Sequence, residues 1–351
     1  MSDEEQTLLK PTISDLIAQL GGSLLVGDPA RRIDHPAQPA TAQPHSMLFA
    51  ESGSALADAL AAQPGLVVTA PRHLASTLDP GSIPATAVLL TDQPRLWFAR
   101  AAQLLRPSLP AQGIHPTAVV HATAILAPDA TIGPCAVLAE GVRVGARTRI
   151  DAGVVLQSGV IVGADCHLWP RVVVYSGTTL GNRVTVHAGA VLGADGFGFV
   201  RDRHTGRYTQ FPQQGTLLVE DDVEIGANST IDRGALAATR IGSGTKLDNL
   251  IHIGHNCTIG QNVVMASLCG ISGSSEIGDG AVLAGQVGIG DHVTIGPGVI
   301  LGGQAGVLSG KTVTTTGSVL WGTPARPLRQ YLRELATLTR LTRRPQRNEQ
   351  E

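Results

Sequence analysis

The stretch that decides the fold runs from His115 to Leu192 and falls into sixes: HPTAVV (115–120), HATAIL (121–126), APDATI (127–132), GPCAVL (133–138), AEGVRV (139–144), GARTRI (145–150), DAGVVL (151–156), QSGVIV (157–162), GADCHL (163–168), WPRVVV (169–174), YSGTTL (175–180), GNRVTV (181–186) and HAGAVL (187–192). The sixth residue is aliphatic in all thirteen, from Val120 to Leu192. The phase returns at Val219, Ile225 and Ile231 and slips by four residues across Asp232–Arg240 (DRGALAATR). It then runs unbroken from Ile241 to Val319. A period of six fits neither an α-helix at 3.6 nor a two-sided strand at 2. It fits a hexapeptide parallel β-helix, in which three short strands and three tight corners make one coil of 18 residues.

Composition agrees with a thin stacked core. The chain has 351 residues with 42 Gly but only 5 Phe, 3 Tyr and 3 Trp, too few aromatics for a conventional large core. Hydrophobic residues still make up 43%, which argues against disorder. A formal net charge of −2 supplies no global field for nucleic acid. No apolar run is long enough for a membrane-spanning helix. The start, MSDEEQTLLK, lacks the basic and apolar regions of a signal peptide, so a cytoplasmic location is expected. Cys135, Cys166, Cys257 and Cys269 form no CxxC pair and read as free thiols.

Three regions are expected. Residues 1–112 lack the period and read as a small α/β domain, with a Thr12–Asp15 capping box, buried strands at Val67–Val68 and Ala87–Leu90, and a helix over Pro94–Leu105. Residues 113–322 are the solenoid, interrupted by an aromatic and charged insertion at 194–215. Residues 323–351 form a helical end cap that is locally basic, with seven Arg against three Glu from Pro324 onward. The basic surface suits either solvation or an acidic partner.

Coils of 18 residues turn sequence spacing into proximity. Gly273 lies 18 residues beyond His255, one coil or about 5 Å away along the axis. His292 lies 37 beyond His255, two coils and one residue. Asp232 precedes His255 by 23, which becomes one coil and one residue once the slip is removed. One edge should therefore carry Asp232, His255, Gly273 and His292. An imidazole steadied by a carboxylate is a general base, and a side-chain-free amide beside it can face an oxyanion. This suits direct acyl transfer from a thioester to an amine or hydroxyl. His252, just before the inward Ile253, reads as facing elsewhere. His252-x-x-His255 lacks a third ligand, so no metal is expected.

The segments GADGFGF (193–199), FPQQG (211–215), VEIGANSTIDRGAL (223–236), KLDNLIHIGHN (246–256) and GISGSSEIG (270–278) resemble the UDP-3-O-acylglucosamine N-acyltransferases of lipid A biosynthesis. The resemblance covers most of 115–325. It implies a left-handed parallel β-helix, assembled as a homotrimer with active sites between subunits. It further implies transfer of a 3-hydroxyacyl chain from acyl carrier protein to the 2-amine of a UDP-sugar, with no other cofactor. By resemblance His255 is the base, Asp232 its orienting carboxylate, Gly273 the oxyanion amide and His292 a residue near the acyl donor. Asn249, Phe49 and Gly306 match substrate-binding positions, and the basic C-terminal region matches the carrier-protein surface.

Two departures stand out. Where the family holds uracil with two aromatics and an Asn, this chain has Phe49, Ser52 and Ala55, so stacking and amide pairing should weaken. Relatives often end the acyl groove with Met. Here the segment is Gly302-Gly303-Gln304-Ala305-Gly306, which reads as an open groove and a long acyl chain. An O-acyltransferase, an acetyl-CoA-dependent sugar acetyltransferase and a non-catalytic solenoid are the alternatives.

Overall fold

The computed structural model describes residues 10–74, 86–106 and 111–342. The acidic start at 1–9 and the basic residues beyond 342 lie outside them. The chain divides into two units, Met1–Pro110 and Ala111–Glu351.

The first unit is a five-stranded sheet flanked by helices. Its elements are α1 (Ile13–Leu20), β1 (Ser23–Val26), β2 (His35–Pro36), β3 (Ser46–Phe49), α2 (Gly53–Ala61), β4 (Leu66–Thr69), β5 (Ala87–Leu90) and α3 (Pro94–Leu104), in sheet order β1-β5-β4-β3-β2. Thr12 and Asp15 form a reciprocal capping box that starts α1, satisfying two amides the helix leaves unpaired. All four residues of β4 are buried, as a central parallel strand requires.

The second unit is a parallel β-solenoid. Its rungs, mostly two residues long, stack into three sheets of ten, eleven and ten strands. Register follows the 18-residue period: Arg143 pairs with Ile161 and Val144 with Val162. The sixth residue of each hexad points inward, usually joined by the fourth, as Val154 and Leu156 are, and residues such as Ile150, Leu156, Leu192, Ile253 and Leu283 have no exposed surface. The core cluster contains aliphatic residues and cysteines and no aromatic ring. Every corner must reverse direction within a few residues. Left-handed backbone therefore recurs there, at Gly141 (φ 67) and Gly159 (φ 72) and also at His292 (φ 54). Among the described residues, no helix is long and apolar enough to cross a membrane.

The two breaks in the repeat meet each other. The insertion leaves after a strand at Val191–Ala194, makes an antiparallel hairpin (Phe199–Arg201 with Tyr208–Gln210), and rejoins at Thr216. The slip keeps the rungs aligned at a spacing of 22, pairing Ile231 with Ile253 and Val219 with Ile241. Where the hairpin returns, the Gln214 amide donates to Ala235 O at 2.7 Å and the Gly215 amide to Gly234 O at 3.0 Å. A Cβ on Gly215 would lie 1.9 Å from Ala237 O, so only glycine fits this approach. The solenoid ends in α4 (Leu328–Thr342), which buries none of its side chains.

Candidate active site

Backbone ladders fix the edge carrying the candidate residues. The Ser274 amide donates to His255 O at 2.8 Å, and the His292 amide donates to Gly273 O at 3.1 Å. His255, Gly273 and His292 thus climb one corner over successive coils. A Cβ built on Gly273 would lie 2.2 Å from Cε1 and 2.3 Å from Nδ1 of His255, so the ring occupies the space a side chain would need. Among the described residues the Gly273 amide donates to no protein acceptor, leaving an N–H free beside the imidazole. Nδ1 of His255 is buried and has no hydrogen-bond partner.

Asp232 ends the strand Thr230–Asp232 and is only 7% exposed. It makes no hydrogen bond to His255 in this arrangement. Burial pushes its carboxyl up to about 6, while the nearby His255 pulls it down and Asp195 pushes it further up. The ring nitrogen close to it belongs to His252, whose Nε2 is 3.8 Å from Asp232 Oδ2. The expectation that His252 faces elsewhere is therefore corrected. An outward residue of the strand His252–Ile253 sits over Thr230 of the previous coil, and that face borders the corner at His255. Strand alternation showed that His252 points outward; it did not show how close that face lies to Asp232.

A cavity of about 760 Å³ opens over this edge and is lined by Asp232, His252, His255, Gly273 and His292. The insertion supplies its other wall through Phe197 and Phe199, whose rings meet edge-on at 5.2 Å. Gly196 lies flat against His255, where a Cβ would come within 2.6 Å of the histidine Cβ. Beyond His252 the outward positions of the same sheet become Gly270, Gly288 and Gly306. A Cβ at Gly270 or Gly288 would meet nothing within 4 Å. Missing side chains thus cut a shallow groove leading away from the imidazole. Cys257 is buried and its thiol is pushed up to about 11, so it is no nucleophile at neutral pH. Among the described residues no group of three His, Cys, Asp or Glu side chains is placed to hold a metal.

Family models for the bacterial transferase hexapeptide (six repeats) match residues 141–175 and 159–194, and a hexapeptide repeat of succinyl-transferase matches 251–285. A UDP-3-O-acylglucosamine N-acyltransferase from Coxiella burnetii (strain Dugway 5J108-111) is 46% identical over 52% of this chain and 53% of its own. The match thus spans about half that relative's length. One from Paraburkholderia phytofirmans (strain DSM 17436 / LMG 22146 / PsJN) is 38% identical over 74% of this chain and 71% of its own. The chain belongs to the UDP-3-O-acylglucosamine N-acyltransferase family. Among solved structures, a UDP-N-acetylglucosamine O-acyltransferase from Moraxella catarrhalis RH4 is 24% identical over 68% of this chain and 86% of its own, with a TM-score of 0.45.

The remaining residues picked out by family resemblance lie elsewhere. Asn249 is one hexad before His255 and so occupies the preceding corner. Its Oδ1 accepts the Ala227 amide at 2.7 Å, and it borders a separate groove with Lys246 and Asp248. Phe49 belongs to the first unit. Its ring centroid is 4.8 Å from that of Phe98 on α3, and the Arg95 guanidinium lies 5.7 Å over it. Ser52 Oγ accepts the Ala55 amide at 3.1 Å and so caps α2. Sequence reasoning overlooked Phe98, which no motif marks. Gly306 continues the glycine groove but does not leave it open, as Gly302–Gly306 had suggested. A Cβ at Gly306 would meet Thr323 Cγ2 at 2.9 Å, and one at Gly302 would meet the Trp321 ring at 2.5 Å. The chain folds back at Trp321–Thr323 and covers these glycines.

Proposed function

We propose that this protein is an N-acyltransferase of lipid A biosynthesis, moving a 3-hydroxyacyl chain from acyl carrier protein to the 2-amine of a UDP-3-O-acylglucosamine. The observation that carries this reading is the free Gly273 amide held against His255 beside the buried carboxylate of Asp232. The amine attacks the thioester carbon while His255 takes its proton. The Gly273 N–H receives the charge that develops on the carbonyl oxygen. That attack forms the C–N bond; collapse of the tetrahedral intermediate restores the carbonyl and breaks the C–S bond, and His255 returns the proton to the departing sulfur. Asp232 orients the imidazole and offsets its transient positive charge.

The glycine groove suits an acyl chain, with His292 near its donor end. The working assembly in this reading is a homotrimer: Asn249 and His255 sit on adjacent corners of one chain, and a second copy packed alongside would bring one chain's Asn249 corner to the other's His255 corner. The exposed Val264, Val282 and Ile300, one above another, give such packing an apolar stripe. Arg329, Arg333 and Arg340 on α4 offer the acidic carrier protein a basic surface. Phe49 in the first unit is the uracil contact, with no metal or other cofactor required and the cytoplasm as the compartment.

Incubating the purified protein with UDP-3-O-acylglucosamine and 3-hydroxyacyl carrier protein should yield the N-acylated sugar, and His255→Ala should lower turnover roughly 10²–10⁴-fold. No product with either a carrier-protein or a CoA thioester would overturn the reading. Equal use of acetyl-CoA would favour a sugar acetyltransferase.

A further inference from the structure

His252 plays no part in the steps just described, yet among the described residues it is the only basic side chain in ion-pair reach of Asp232. Its place is dictated by register. The strand His252–Ile253 stacks on Thr230–Asp232, with Thr230 beneath His252 and Ile231 beneath Ile253. The Thr230 hydroxyl lies 2.8 Å from His252 Nδ1. A hydroxyl donating to Nδ1 leaves the single proton of the neutral ring on Nε2, the nitrogen aimed at Asp232 Oδ2.

Asp232 has need of such a donor. Its side chain is largely buried, and among the described residues none donates a hydrogen bond to its carboxylate, a costly condition for an ionised group. The groups facing it are few. His255 approaches from the next coil, and Asp195 from the start of the insertion carries the wrong charge. Arg233, the next residue, is committed elsewhere. It donates to Gly193 O at 2.8 Å and Ser176 O at 2.7 Å and leans toward Asp195 at 3.6 Å. The Cys257 thiol is buried and points its sulfur at Ser272 O. Among the described side chains this leaves His252 to supply an N–H to the carboxylate oxygen that His255 does not need.

We propose that His252 is a positioning residue, with Thr230 fixing its tautomer so that Nε2–H faces Asp232 Oδ2, holds the carboxylate ionised and frees its other oxygen for His255. The gap of 3.8 Å closes to hydrogen-bond length with a shift of about an ångström. The kinetic consequence rests on the function proposed above; the electrostatic one does not.

The test compares His252→Phe, which keeps the ring volume without a donor, with His252→Gln, whose amide nitrogen can reach the Nε2 position. His252 is outward and half-exposed, so both variants should keep the fold. In the resting full-length protein the Asp232 carboxyl is titrated by NMR with carbon-labelled aspartate, assigned by its loss in Asp232→Asn. His252→Phe should raise the Asp232 midpoint by roughly one pH unit and His252→Gln should restore most of it. The acid limb of kcat/KM should move by the same amount with KM unchanged. A His252→Phe titration that superimposes on the parent overturns the proposal, as does a shift that glutamine fails to reverse. A shifted titration in a protein that transfers no acyl group would sink the proposed function and leave this inference standing.

Discussion

His255 fills the side-chain space of Gly273: a β-carbon on the glycine would sit 2.2 Å from the ring's Cε1 and 2.3 Å from its Nδ1. The two residues are one coil apart, and the ladder bond from the Ser274 amide to His255 O holds that spacing. The relationship binds the position of the base to the position of the free amide. Neither can move without the other, which is the preorganisation an acyl-transfer site requires.

Gly273→Ala should therefore act through the imidazole alone. The backbone of Gly273 does not adopt the left-handed region, so alanine is locally compatible and the conflict is with the ring. Displacing a catalytic group by about 1 Å costs on the order of 10²-fold in rate. Turnover should fall by about that factor while the melting temperature stays within a few degrees of the parent. Wild-type turnover in this variant would mean that the ring's position against Gly273 does not matter for chemistry.

Asp232 carries a stability cost whose size depends on pH. Burial raises its pKa from 3.8 to about 6 in the folded chain. The folded state thus holds more protons than the unfolded one between those values, and stability falls as pH rises through that window. A shift of this size corresponds to about 3 kcal/mol once the group is fully ionised. Asp232→Asn should remove most of that cost, offset in part by burying an amide. Thermal unfolding should show the variant more stable than the parent at pH 8 and no more stable near pH 4, with turnover lost by orders of magnitude. A variant less stable at pH 8 would contradict the assigned burial cost.

Much of the architecture was legible because a solenoid obeys one number. The period of six identified inward residues such as Leu192 and Ile253, and the 18-residue coil brought His255, Gly273 and His292 onto one corner, where the amide ladder places them. The same ruler, applied to the separation of six between Asn249 and His255, puts those two on adjacent corners. What the spacing lacked was the outer surface. His252 was read from its own strand, whereas its contacts are set by Thr230 and Asp232 a coil below. Gly306 looks like an opening from sequence alone, because the return of Thr323 over it has no periodic signature. Ser52 stands at a position that family resemblance gives to a uracil contact, while its hydroxyl is spent on capping a helix that no strong motif announces.

The groove along Gly270, Gly288 and Gly306 sets the last expectation. Strand spacing places these three at steps of about 4.8 Å, so the track runs roughly 14 Å from His252 to Gly306, where Thr323 closes it. Gly288 lies near the middle, and its missing side chain points into open space. Gly288→Leu should fold normally, since nothing opposes the new side chain and a strand gains by losing a glycine. It should also fill the groove about 10 Å from His252. A series of acyl donors should then show kcat/KM for long chains falling by roughly 10²-fold, with donors too short to reach Gly288 keeping most of theirs. Equal loss across all lengths would assign Gly288 to the fold rather than to chain selection, and no loss at any length would place the acyl chain on another face of the solenoid.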